Sequence, residues 1–170
     1  MKRMATGLIC LAMGAVCGCA GYSWRPTVPE GVRTVAVPTF RNESSVTELG
    51  SAVTRQILRE FQREGTYIIR NVGDSALEVQ GVITDSSSRA VAYGRKTGER
   101  NREYRLHATA LVSFIDKTSG RVLVDDKRYS AETTFLANDD MLTGERDATG
   151  RLAEEFARRI VDDALALKWE

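Results

Sequence analysis

Glu103-Tyr104-Arg105-Leu106-His107-Ala108-Thr109-Ala110-Leu111-Val112-Ser113-Phe114-Ile115-Asp116 is the stretch on which the fold turns. Tyr104, Leu106, Ala108, Ala110, Val112 and Phe114 fall on one side of it, and Arg105, His107, Thr109 and Ser113 on the other. Period two is the period of a β-strand, because successive side chains leave a strand on opposite faces. An apolar side backed by a polar one implies a sheet with one covered face and one wetter face. Asp116-Lys117-Thr118-Ser119-Gly120 follows with turn residues and reads as a hairpin loop, with residues 121–135 as the returning strand. On the other side, residues 76–85 alternate with Leu77, Val79, Gly81 and Ile83 together.

The first half of the domain has a different rhythm. Residues 32–38 (Val-Arg-Thr-Val-Ala-Val-Pro) read as a strand ended by Pro38. After a loop at 40–45, Ser45-Val46-Thr47-Glu48 has the form of a capping box. Val46, Leu49, Val53, Ile57 and Phe61 then recur at three and four residues, widened by Leu58, which predicts an amphipathic helix of about 18 residues closed by Gly65. Tyr67-Ile68-Ile69 reads as a short strand. Strand, helix and strand in succession imply a right-handed crossover and a parallel pair. The last helix has Leu152, Phe156, Ile160, Ala164 and Leu167 as its apolar stripe, follows a loop at 138–145, and is weakened in its first turn by Gly150. The sum is an α+β two-layer sandwich, a small mixed sheet of four to five strands with two helices packed on one face.

The chain has 170 residues, 42% hydrophobic and 28% charged, which suits one globular domain and excludes bulk disorder or a collagen-like repeat. Twenty-four Lys and Arg against 23 Asp and Glu give a formal charge of +1, without the basic excess of a general nucleic-acid binder. The cysteines Cys10, Cys17 and Cys19 all lie at the N-terminus. They do not form the paired CxxC spacing of a zinc site. Lys2 and Arg3 precede an uncharged, mostly apolar run over residues 5–16, as in a secretory signal peptide, and the run is too short to span a bilayer comfortably. Val16-Cys17-Gly18-Cys19 resembles a bacterial lipobox, with an aliphatic residue at −3, a small residue at −1 and Cys19 as the acylation site. Acyl chains bury methylenes at about 0.8 kcal/mol each, so lipidation would hold a water-soluble domain on a membrane. Ala20 after the cysteine implies sorting to the outer membrane by that resemblance. Residues 1–18 are then a lipoprotein signal peptide, 19–31 a lipidated tether with Pro26 and Pro29, and 32–170 the single domain. Loss of Lys2 and Arg3 leaves 22 basic and 23 acidic residues, a mature charge of −1.

Catalytic constellations are not visible. His107, the single histidine, sits on a strand between polar neighbours and reads as a solvated or hydrogen-bonded structural residue. Ser86-Ser87-Ser88 lacks a surrounding GxSxG elbow. Alternation sends Asp125 and Asp126 to opposite faces, which keeps them from acting as an acid/base couple. Asp139-Asp140 suits a turn or helix cap better than a metal. A non-enzymatic protein without cofactor or metal is expected. Residues 89–102 stand out instead: Arg89, Arg95, Lys96, Arg100 and Arg102 accompany Glu99, Tyr93 and two glycines. The stretch joins two strands and reads as a long hairpin tip suited to an anionic or phosphorylated ligand. An exported chain of charge −1 makes an anionic glycolipid a better fit there than nucleic acid.

Gly21-Tyr22 behind Cys19, Pro29 to Asn42 (PEGVRTVAVPTFRN), Gly73 to Ile83 (GDSALEVQGVI) and the closing helix ending in Trp169 together resemble the lipopolysaccharide-assembly lipoproteins of the LptE family. The resemblance covers nearly the whole mature chain. It implies a sheet-and-two-helix domain that plugs and helps assemble an outer-membrane β-barrel translocon of the LptD type, held at the periplasmic side of the outer membrane by the lipid on Cys19. It further implies lipopolysaccharide contact through a basic residue at a strand–strand tip, which here is Arg95 within Gly94-Arg95-Lys96-Thr97-Gly98. A second basic position before the last helix has only Arg146 as its nearest counterpart, in an acidic loop. The opening strand-and-loop motif is also similar to CsgG-like secretion lipoproteins and to peptidoglycan synthase activators, which would make the chain a binding or pore-assembly module.

Overall fold

The structure is a computed structural model that describes residues 28–93, 102–137 and 141–169. Its elements are β1 (Thr34–Ala36), β2 (Arg41–Asn42), α1 (Leu49–Glu64), β3 (Ile68–Ile69), β4 (Leu77–Tyr93), β5 (Arg102–Asp116), β6 (Arg121–Ala137) and α2 (Met141–Leu165). One mixed sheet has the order β3-β1-β4-β5-β6, with β2 paired to β4. Among the described residues it therefore holds six strands, where the sequence predicts four to five. The extra strand is β2, inside the expected loop at 40–45. Arg41 and Asn42 run parallel to Val82 and Ile83, filling the edge of β4 beyond the end of β1.

β1 and β3 are parallel and joined through α1, as the crossover predicts. α1 forms because Leu49, Val53, Ile57 and Phe61 recur on one face, and all four are buried. Gly65 ends it in the left-handed conformation at φ 79°, and its N–H bonds the Phe61 carbonyl at 3.0 Å. The capping box at its start does not form. Ser45 Oγ instead lies 3.2 Å from the Ser86 carbonyl and 3.1 Å from Ser86 Oγ, because pairing of β2 with β4 draws this loop onto the sheet. Asn42 organises the turn, donating to the carbonyls of Val46 and Thr47 and accepting from Ser44.

β4, β5 and β6 form a long antiparallel meander. Leu77, Val79, Ile83, Leu106, Ala108, Ala110, Val112 and Phe114 on its inner face are fully buried, as the alternation requires. Both helices cover that face and pack on each other. α2 begins at Met141, so the loop expected over 138–145 is largely helical, and Gly150 lies mid-helix. Gly144 lets the first turns approach β6, since a Cβ there would stand 2.9 Å from both the Leu136 carbonyl and the Phe135 ring. At the outer edge of β6, Arg151 and Arg159 of α2 donate to the carbonyls of Thr134 and Ser130 at 2.9 and 2.5 Å. Side chains that occupy edge carbonyls oppose strand-to-strand aggregation.

A slot fixes the start of the domain. Phe40 is buried between Gly50 of α1 and Gly81 of β4. A Cβ on Gly50 would come 2.6 Å from the Phe40 carbonyl, and one on Gly81 2.2 Å from its ring. The Phe40 N–H donates to Thr54 Oγ1 at 2.9 Å, and Thr54 donates onward to the Gly50 carbonyl at 2.9 Å.

The Asp116 turn carries a pH signature. Its carboxylate accepts from Thr118 and Ser119, each through amide and hydroxyl. Burial alone would raise its pKa, but the Ser119 and Thr118 bonds outweigh it and bring the carboxyl from 3.8 down to about 2. A folded value below the unfolded one stabilises the fold above pH 3.8, and that stability is lost as pH falls from 3.8 toward about 2. With solvent screening, the contribution is on the order of 1–2 kcal/mol. Asp116→Asn is expected to cost that much at neutral pH and to flatten the acid limb of a stability–pH profile. An unchanged limb would show that the turn does not carry it.

Candidate functional site

The sheet has one covered face and one open face, and the open face is where charge collects. Cross-strand register orders it into rows. Arg41, Val82, Leu111 and Arg128 occupy successive strands β2, β4, β5 and β6 in one row. Ser87, His107 and Glu132 form another, and Arg89, Arg105 and Thr134 the next. Arg41, Gln80, Val82, Leu111, Ser113 and Asp126 line a shallow depression of about 400 Å³ on this face. Strands stand about 4.8 Å apart, so Arg41 and Arg128 are about 14 Å apart at the backbone. On the same face, at the end of β4 away from Arg89, Glu78 is buried and pairs with Lys117 at 2.9 Å. Burial raises its pKa, but Gln80 and Lys117 together bring it below the ordinary carboxylate value.

The residues singled out in the sequence divide among these places. Arg89 lies on β4, exposed, and directly opposite Arg105. Arg102 opens β5, where its backbone pairs with Tyr93 and Ala137. The hairpin tip is thus shorter than residues 89–102, because the β4–β5 ladder continues through irregularities at 83–85 and 90–92 up to Tyr93 and Arg102. Arg95, Lys96, Arg100, Asp139, Asp140 and the acylation candidate Cys19 lie outside the described residues. Arg146 is on α2 and lines a groove of about 280 Å³ with Ser45, Val46, Thr47, Glu48, Leu142 and Thr149, away from the sheet's open face.

Asp125 and Asp126 do not diverge: Ser113 Oγ lies 3.3 Å from a carboxylate oxygen of each. The cause is an irregularity between β5 and β6 around Val112 and Phe114, where Asp126 adopts φ 42° and breaks the alternation. His107 is half-buried, with Nε2 3.4 Å from Thr109 Oγ1, a hydrogen-bonded structural setting. Among the described residues, no three His, Cys, Asp or Glu side chains are placed to hold a metal ion, and no helix is long and apolar enough to cross a membrane.

The closing residues contribute to packing. Tyr67 meets Phe61 edge to face at 5.6 Å and donates to the Ala164 carbonyl at 3.1 Å. Burial pushes its hydroxyl up to about 12, moderated by Trp169 beside it. The Trp169 indole nitrogen is itself buried and completes no well-formed hydrogen bond among the described residues. Tyr129 donates to Asp163, and burial together with that carboxylate raises its pKa strongly.

How the open-face arginines Arg41, Arg105 and Arg128 are arranged across the sheet escapes a reading of local sequence. Alternation shows that Arg105 points away from the core. That it meets Arg89, and that Arg41 and Arg128 share a row, depends on strand register.

At 12% identity and TM-score 0.52, a minor lipoprotein of Acinetobacter baumannii aligns over 80% of this chain and 94% of its own. A hypothetical protein of Chlamydia trachomatis aligns at 12% identity and TM-score 0.53 over 79% of this chain and 96% of its own. A protein of Xanthomonas campestris does so at 9% identity and TM-score 0.53 over 85% and 88%. At such identities the likeness shows the fold. A search of curated protein sequences found no match. The sequence profile of the LptE family, described as lipopolysaccharide-assembly, matches residues 32–164, from the turn before β1 to the end of α2, and the chain belongs to that family.

Proposed function

We propose that this protein is an outer-membrane lipoprotein, acylated at Cys19, that lodges in an LptD-type β-barrel and contacts lipopolysaccharide on its way to the outer leaflet. The observation that carries the reading is the family match over residues 32–164, which spans every strand and nearly all of both helices. The signal-like leader and the lipobox around Cys19 support the location. The basic residues Arg89, Arg95, Lys96, Arg100 and Arg102 at and beside the β4–β5 tip support an anionic ligand. The role is non-catalytic: the domain supplies a rigid plug and a charged surface, and no cofactor takes part.

Co-purification tests this. The full chain, expressed with its own leader in a Gram-negative envelope and extracted in detergent, is expected to bring down an outer-membrane β-barrel of the lipopolysaccharide translocon. Recovery of a peptidoglycan synthase, or of copies of the chain alone, would overturn the assembly role.

A further inference from the structure

β4 and β5 set two arginines face to face. Arg89 and Arg105 are partners in the antiparallel ladder, so their side chains leave the same face of the sheet. Directly opposite residues have Cβ atoms about 4.5–5.5 Å apart, and like charges in that position are destabilising. Both side chains are exposed, and neither closes an ion pair or hydrogen bond among the described residues. The carboxylates nearest in register are Glu103, two residues before Arg105, and Glu132, opposite His107 in the adjoining row. Neither forms an ion pair with the two arginines.

A doubly charged oxyanion bridging the two forks would turn this repulsion into attraction. Guanidinium groups bind phosphate oxygens in pairs, with two parallel N–H donors each. The surface beside them is aliphatic. Leu136, opposite Glu103 on the same face, is 56% exposed, and Val91, at the irregularity between Ala90 and Ala92, is 43% exposed. A free inorganic ion makes no use of such surface, whereas a phosphorylated amphiphile covers it with its carbon skeleton. We propose that Arg89 and Arg105 form a phosphate-binding pair on the open sheet face, which takes a phosphate group of an anionic glycolipid. The site rests on the glycolipid reading above for the class of molecule, and it adds Arg105 and a place on the sheet, apart from the loop bases.

The full chain in detergent is titrated with purified lipopolysaccharide, with the same lipopolysaccharide after enzymatic removal of its phosphates, and with inorganic phosphate. Arg89→Gln/Arg105→Gln is expected to weaken binding of the phosphorylated form about tenfold or more, the loss of charge-assisted bonds. Binding of the dephosphorylated form should not change, and the melting temperature should hold or rise as repulsion is relieved. Unchanged affinity for the phosphorylated form would overturn the site, as would an equal loss with both forms. A stabilisation by inorganic phosphate that depends on the two arginines, without any effect on lipopolysaccharide, would overturn the glycolipid assignment. Arg95→Glu/Lys96→Glu separates the two readings. If it alone abolishes binding, the sheet site fails and the glycolipid function stands. If the sheet pair matters but no barrel co-purifies, the assembly role fails and the site stands.

Discussion

Gly81→Ala is expected to lower the melting temperature by about 5–10 °C, although alanine is normally the better residue in a strand interior. The gain in backbone entropy on replacing glycine is about 0.5–1 kcal/mol. Against it stands a Cβ placed 2.2, 2.5 and 2.6 Å from three atoms of the Phe40 ring. The ring has nowhere to go. It is 3% exposed, its amide is held by Thr54 Oγ1, and its carbonyl sits where a Gly50 Cβ would lie. Overpacking of this kind costs about 1–3 kcal/mol and more when the neighbour is pinned, so the clash wins. The slot account also predicts coupling. In a Phe40→Ala background, itself destabilised, Gly81→Ala should become neutral or stabilising, because the obstructing ring is gone. A Gly81→Ala variant that melts at or above the wild-type temperature would refute the slot.

Phe156→Ala should cost about 3–5 kcal/mol in a denaturant titration, the largest loss expected from one substitution here. Phe156 is fully buried at the middle of the α2 stripe, with Leu152 and Ile160 one turn to either side and also fully buried. α2 packs on α1, β5 and β6 together, so the cavity would open where the two helices meet the sheet. Three packed surfaces resist collapse into such a cavity, which sets the cost toward the upper end of the range. Phe156→Leu keeps most of the volume and should lose less than half as much. Arg158→Ala, two residues on and exposed, should change stability by less than about 0.5 kcal/mol. Equal losses at positions 156 and 158 would mean that α2 does not use this face.

The two experiments probe opposite kinds of legibility. The α2 stripe is written locally, since Leu152, Phe156, Ile160 and Ala164 recur at the helical period and nothing else is needed to know that they face inward. The Phe40 slot is not, because Gly50 and Gly81 are 31 residues apart and meet only after β2 docks on β4. The start of α2 shows the same division. Gly144 and Gly150 weaken a helix on propensity, yet the helix runs through both, because close packing on Phe135 and Leu136 rewards the small residue at 144.

What the sequence determined by itself is what depends on neighbours along the chain. It includes the alternation of residues 103–116, the helix closed by Gly65 and the parallel crossover from β1 to β3. It also includes a cluster of bases between two strands. Only the tertiary structure decided how strands register across the sheet. Register moves Ser45 from a helix cap to Ser86, brings Asp125 and Asp126 onto one serine, and sets Arg89 against Arg105. The physical reason is that a strand's own period fixes which face a residue takes, while its partner in the next strand is fixed by turns, irregularities and the packing of the whole inner face.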